Sequence, residues 1–182
     1  MISVLTGMYP QSSGNAWING MNIGTSSTNK FIGVCPQFDL LWPDLTVYEH
    51  LKFYSILKMV KSEFMEREID SLLKDVDLYE WKTTESSKLS GGMQRRLSLA
   101  ISLVGNPKVV FLDEPSSGLD PSHRRQMWNI LLSTFYIKLG IKKRTSILLT
   151  THLMEEAEVL CDRVGILSKG QLRCIGSIDE LK

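Results

Sequence analysis

The run Lys108-Val109-Val110-Phe111-Leu112 shows no alternation of apolar and polar residues, and it ends in Asp113-Glu114. A strand of that kind is buried on both faces, which requires a parallel sheet covered by helices. Thr145-Ser146-Ile147-Leu148-Leu149-Thr150 reads as a second buried strand. Between the two, Asp120-Pro121 offers an N-cap with Pro at the first helical position, and Met127, Ile130 and Leu131 continue that helix. Strand, helix, strand in this order predicts an α/β domain. In such sheets ligands sit beyond the carboxyl ends of the strands, where Asp113, Glu114 and His152 stand.

The flanking segments fit around that frame. Met1 to Gly7 reads as the last turns of a helix, and Gly14 to Pro36 as short strands joined by turns. Thr46-Val47-Tyr48-Glu49 is a capping box, followed by Leu51, Tyr54 and Leu57 at helical spacing. A further helix is expected from Ser62 to about Val76, with Ile69, Leu72, Leu73 and Val76 on one face. Beyond His152 come a short helix over Leu153 to Leu160 and a hairpin pairing Val164–Ile166 with Leu172–Cys174. The basic stretch Lys138 to Arg144 reads as a solvated loop.

Charge narrows the partners. With 21 basic against 20 acidic residues the net charge is +1, which gives no electrostatic reason for a nucleic-acid partner. Cys35, Cys161 and Cys174 form no C-x-x-C pair, so neither a disulfide framework nor a zinc site is indicated, and a reducing, cytosolic compartment is expected. No apolar run approaches the ~18 residues that span a bilayer.

Certain residues carry chemistry. Adjacent carboxylates at a strand end repel unless a cation or a proton-transfer role offsets the repulsion. Asp113 can hold Mg²⁺ directly or through water, and Glu114 can deprotonate an attacking water; equally, Asp-Glu-Pro can simply end a strand and turn. His152 can donate to a terminal phosphate or serve as a packed or capping residue. Gln37 can offer its amide to a metal or its water, or stand as an ordinary surface residue. In Leu89-Ser90-Gly91-Gly92 the glycine amides open a helix and, with the Ser90 hydroxyl, can form an anion site favoured by the helix dipole; equally, Ser90 can be an ordinary N-cap followed by tolerated glycines. Two glycines in a first turn cost ~1 kcal/mol each against Ala, so a compensating reason is expected.

The order of these pieces is more specific than any one of them. Gln37, Leu89-Ser90-Gly91-Gly92, Val109 to Glu114, Ser117-Gly118-Leu119-Asp120 and His152 resemble, in that sequence, the Q-loop, signature, Walker B, D-loop and H-loop of an ABC-type ATPase. The resemblance covers essentially the whole chain. Cys35-Pro36-Gln37-Phe38-Asp39, Leu45 to Leu51, Thr151 to Glu158 and the tail Gly170 to Ser177 ending in Leu181-Lys182 are similar to the A subfamily, whose signature tolerates Met at the position of Met93.

The resemblance implies an α/β, P-loop NTPase-like ABC ATPase domain over residues 1–182, with a helical subdomain inserted at roughly 40–105. It implies ATP and Mg²⁺ as cofactors, Glu114 and His152 as catalytic residues, and Gln37 and Asp113 as metal ligands. Gln37, Leu89, Ser90, Gly91, Gly92 and Asp120 would contact the nucleotide. The implied partners are the transmembrane domain of an exporter, reached through Gln37, and a second nucleotide-binding domain. In that head-to-tail dimer the signature segment touches the γ-phosphate held mainly by the opposite domain. Lipid is the implied cargo, and the cytosolic face of a membrane the implied location.

One departure from the family is plain: no G-x-x-x-x-G-K-[ST] occurs in the chain. The chain is therefore expected to be N-terminally truncated with respect to the family. Losing three phosphate contacts of ~1.5 kcal/mol each lowers affinity by roughly 10³ or more, so the chain alone should hardly bind ATP. In the family the strand before the phosphate loop lies beside the Walker B strand, which predicts an unpaired apolar edge along Val109 to Leu112 and an insoluble or oligomeric chain. Two other classes are weighed beside the exporter domain. One is a non-catalytic module lending only its signature face. The other is a soluble ABC ATPase acting on DNA or ribosomes; the interval from Gln37 to Leu89 is too short for the long coiled coil of a chromosome-maintenance head.

Overall fold

The computed structural model describes residues 1–23, 30–135 and 145–181. The chain divides into two compact units, Met1–Thr150 and Thr151–Lys182; the stretch Lys138 to Arg144 lies outside the described residues.

The first unit opens with helix α1 (Ile2–Leu5) and a hairpin of strands β1 (Trp17–Ile18) and β2 (Met21–Asn22). Asn19 and Gly20, at φ 51° and 77°, supply the two left-handed residues of a tight turn whose twist suits the paired strands. Strand β3 (Ile32–Cys35) follows, then helices α2 (Val47–Leu57), α3 (Ser62–Asp75) and α4 (Gly91–Leu103), strand β4 (Val109–Asp113), helix α5 (Pro121–Phe135) and strand β5 (Ser146–Thr150). The α/β reading and these helices match the sequence expectation, because their starts are written locally. In α2 the Thr46 N–H donates to Glu49 Oε2 at 2.8 Å and the Glu49 N–H to Thr46 Oγ1 at 3.2 Å, a complete capping box. In α3 the buried face is Ile69, Leu72 and Leu73.

The sheet corrects one expectation. Its order is β3-β4-β5, all parallel, so Val109 to Leu112 are paired on both sides: with Ile32 to Cys35 and with Ser146 to Leu149. The open edges belong to β3 and β5, each with β4 as its one ladder neighbour among the described residues. Thr145 to Thr150 is accordingly not a strand buried on both faces: Ser146 and Ile147 are exposed and Leu148, Leu149 and Thr150 half-buried. The apolar run was sound evidence for a sheet strand but carried no information about which strand is central.

Two layers flank the sheet. Ile2, Ile18, Ile23, Ile32 and Phe111 form one core cluster, with Val34, Val109 and Leu148 packed against it. Helix α4 lies directly on β3, so closely that a methyl group on Gly33 would fall 1.9 Å from the Ser102 carbonyl oxygen. Only glycine allows that approach.

The second unit holds α6 (Met154–Leu160), a hairpin of β6 (Val164–Ser168) and β7 (Gln171–Gly176), and α7 (Ile178–Leu181). The hairpin is longer than predicted but turns where expected, at Lys169 and Gly170, both with positive φ.

Candidate functional site

The carboxyl end of β4 brings Asp113, Glu114 and Gln37 together. Gln37 Nε2 donates to Glu114 Oε2 at 3.3 Å, joining residues 77 positions apart. Beneath them Thr150, the last residue of β5, donates its hydroxyl to Asp113 Oδ1 at 2.5 Å. The Glu114 N–H in turn lies 3.1 Å from both the Thr150 carbonyl and Thr150 Oγ1. Glu114 itself sits at φ 45°, a left-handed conformation that costs a non-glycine residue on the order of 1–3 kcal/mol and persists only where surrounding contacts over-determine it.

Those contacts come from a residue sequence reading missed. Arg95, on the second turn of α4 and with its side chain 4% exposed, spends its whole guanidinium on this corner. Nε donates to the Pro115 carbonyl at 2.8 Å, and Nη2 to the carbonyls of Asp113 and Glu114 at 3.0 and 3.1 Å. Nη1 reaches the Pro36 carbonyl at 2.5 Å and Asp39 Oδ1 at 3.0 Å. Buried charge is tolerated only with this degree of pairing. Its neighbour Arg96 caps the end of α3 through the carbonyls of Val76 and Asp77 and the Asp77 carboxylate. A signal for both was present: two arginines inside a helix whose following run is apolar must either break that burial or find polar partners. Nearby, burial pushes the Cys35 thiol up to about 11, so it stays neutral.

A second group forms at the starts of α4 and α5. Ser90 is the N-cap of α4, its hydroxyl accepting from the Met93 N–H at 3.3 Å, and the Leu89 side chain is buried behind it. The space beside Gly91 is open, whereas a side chain on Gly92 would meet the His123 ring at 3.0 Å. His123 pairs through Nδ1 with Asp120 Oδ2, and Asp120 Oδ1 accepts from the backbone N–H groups of Ser122 and His123, capping α5 as its sequence predicts. The hydrogen bond from His123, with those from Ser122, holds the Asp120 carboxyl well below the usual carboxylate range. His152 opens the second unit, just past Thr150 in the chain.

Chemically, Asp113, Glu114 and Gln37 form a hard-oxygen donor set. Mg²⁺ is held by one or two carboxylates plus water and phosphate oxygens, so these residues fit it. The open approach beside Gly91 fits an anion reaching backbone amides at a helix start.

Comparison with known proteins identifies the family. The family model described as ABC transporter matches residues 1–117. Over its full length the chain is 49% identical to ABC transporter A family member 12 of Arabidopsis thaliana and 46% identical to A family member 8 of the same plant, covering 19% and 20% of them. The chain thus spans about a fifth of the length of these relatives. Among solved structures, the ATP binding subunit of an ABC transporter superposes with a TM-score of 0.82 at 24% identity, over 99% of this chain and 73% of that one. For cbiO1 from Clostridium perfringens, part of the ABC transporter complex cbiONQ, the TM-score is 0.84 at 25% identity, over 99% and 72%. The chain belongs to the ABC transporter family, and the relatives it resembles at 46–49% identity are members of that family's A subfamily.

Proposed function

We infer that this chain is part of the nucleotide-binding domain of an A-type transporter at the cytosolic face of a membrane, coupling ATP binding and hydrolysis to export with lipid as cargo once a phosphate loop is supplied, and inactive by itself. The observation that carries the reading is the 3.3 Å contact of Gln37 with Glu114 at the strand end, beside Asp113. It gathers a base, a metal-ligating carboxylate and an amide from distant parts of the chain.

Bound Mg²⁺ would supply charge neutralisation on the phosphates, with Asp113 and the Gln37 amide oxygen as its protein ligands. Glu114 takes the proton of the attacking water on the carboxylate oxygen now paired with Gln37. Its backbone is clamped before the reaction begins, so little reorganisation is required. His152 donates to the terminal phosphate in this reading. The backbone of Ser90-Gly91-Gly92 addresses the γ-phosphate of nucleotide held by a second domain in a head-to-tail dimer, and Asp120 sets the start of α5 along the same interface.

The transmembrane partner has a matching surface. Directly after Gln37, Phe38 is 76% and Leu40 70% exposed, and Trp42, Leu45 and Phe53 line an apolar groove with Asp44 at its rim. Exposed apolar side chains near Gln37 in the chain and an apolar groove support docking of another protein segment. No helix among the described residues is long and apolar enough to cross a membrane, so the spanning helices come from that partner in this reading.

The test places the chain in a full-length A-family transporter with the phosphate-loop segment restored upstream of it, and compares that protein with its Glu114→Gln and Ser90→Arg variants. Glu114→Gln should keep ATP binding and lower turnover by about 10²–10⁴-fold, the range of general-base catalysis. Ser90→Arg should abolish ATP-dependent dimerisation by filling the phosphate approach. Wild-type turnover in the first variant removes Glu114 from its role, and normal dimerisation of the second removes the signature assignment.

A further inference from the structure

The geometry points to Arg95 as the positioning residue of the hydrolytic site: one guanidinium, carried by the signature helix, sets where Glu114 stands relative to Gln37. This rests on the reading of Glu114 as base.

The acceptors of Arg95 fall in two groups. The carbonyls of Asp113, Glu114 and Pro115 belong to the turn that ends β4, and the Pro36 carbonyl with the Asp39 carboxylate belongs to the segment on either side of Gln37. Four carbonyl oxygens converge on one point, an arrangement in which their dipoles repel each other without a cation between them. Only a planar group with donors on three nitrogens can serve both groups at once; an ammonium has three donors on a single atom. Removing the fork therefore frees two things together. The Glu114 turn loses three of the bonds that hold it in its left-handed conformation, and Gln37 loses the anchors on both sides of it. The bonds of Arg95 to this turn go to its backbone carbonyls, so it acts on the base through the backbone.

Arg95 also lies four positions past Gly91, on the same helix. The segment offered to a second domain's phosphate and the clamp on this domain's own base are thus one rigid piece.

Arg95→Lys, Arg95→Gln, Asp39→Asn and Glu114→Gln, each in a full-length A-family transporter carrying this chain with the phosphate-loop segment restored upstream of it, are compared for kcat, ATP KM, ATP-analogue binding and melting temperature. For Arg95→Lys the expected result is kcat lower by about tenfold or more with ATP KM within about twofold and with ATP-analogue binding stoichiometry and melting temperature retained; loss of folded protein would instead lower binding stoichiometry in step with kcat. Arg95→Gln should fall further. Asp39→Asn should lose less than Arg95→Lys, and the two together no more than Arg95→Lys alone, because they act on one network. Unchanged kcat in Arg95→Lys, or parallel loss of turnover and ATP binding, overturns the assignment. If Arg95 variants do not fold, Asp39→Asn decides, since it leaves all four carbonyl bonds in place: unchanged kcat there overturns the proposal. Turnover in Glu114→Gln overturns the underlying reading instead, whereas an inactive Glu114→Gln beside a fully active Arg95→Lys overturns this one alone.

Discussion

Glu114 and Thr150 are joined at two points: the Glu114 amide lies 3.1 Å from the Thr150 carbonyl and 3.1 Å from its hydroxyl oxygen. That hydroxyl also donates to Asp113 at 2.5 Å, so one side chain serves both members of the carboxylate pair. Thr150→Val keeps the shape and removes the shared group. It should cost about 1–2 kcal/mol, with the Asp113 carboxylate left short of a donor, and Thr150→Ser should recover most of it. Urea unfolding of the three proteins measures this. Equal stability of the Val variant would mean water replaces the hydroxyl at no cost.

Gly33 predicts a steric effect. A methyl group there meets the Ser102 carbonyl oxygen at 1.9 Å, backbone against backbone, with no flexible side chain to give way. Gly33→Ala should destabilise the first unit by about 1–3 kcal/mol, as overpacking does elsewhere. Thermal unfolding followed by circular dichroism would show it as a lower midpoint.

His50 gives a pH dependence. It is fully buried, its Nδ1 facing the Thr46 carbonyl at 2.8 Å and its Nε2 accepting from the Trp42 N–H at 3.0 Å. Burial lowers its pKa below the ordinary 6.5, against the raising effects of Thr46 and Glu49. The folded state therefore holds the neutral ring while the unfolded state gains a proton near pH 6.5. The stability due to His50 is whole above that value and falls as pH drops below it, by at most about 1.4 kcal/mol per pH unit, until the folded ring also titrates. Unfolding free energies at pH 7.5 and 5.5 should differ more for the native chain than for His50→Gln. Equal differences would show that His50 does not titrate in this window.

The open edge of β5 predicts association. Ile147 is 38% exposed on a strand whose free N–H and C=O groups can pair with another chain. Ile147→Lys should raise the monomer fraction of the 182-residue chain in size-exclusion chromatography. A native chain already monodisperse at high concentration would show that this edge is protected.

Legibility in the sequence followed the range of the interactions. The Thr46–Glu49 box, the Ser90 and Asp120 caps and the Lys169-Gly170 turn close within three residues, and each stands where local spacing put it. Arg95 does not, because its acceptors lie 18 to 59 positions away, and nothing adjacent to it says that four carbonyls wait there. Strand order failed for a related reason: an apolar run states that a strand is in a sheet, and the place of β4 between β3 and β5 is decided by crossovers through α4 and α5. Gln37 and Glu114 were found as separate pieces, but their 3.3 Å contact is a product of that order.

Arg95 and Arg96 are consecutive, so they leave α4 about 100° apart around its axis. One is keyed to the ends of β3 and β4 and the other to the end of α3. A helix pinned in two azimuthal directions has lost its rotational degree of freedom: turning it to improve one set of bonds breaks the other. Any displacement of Gly91 must then be a translation or tilt of α4 with α3 and the strand ends attached.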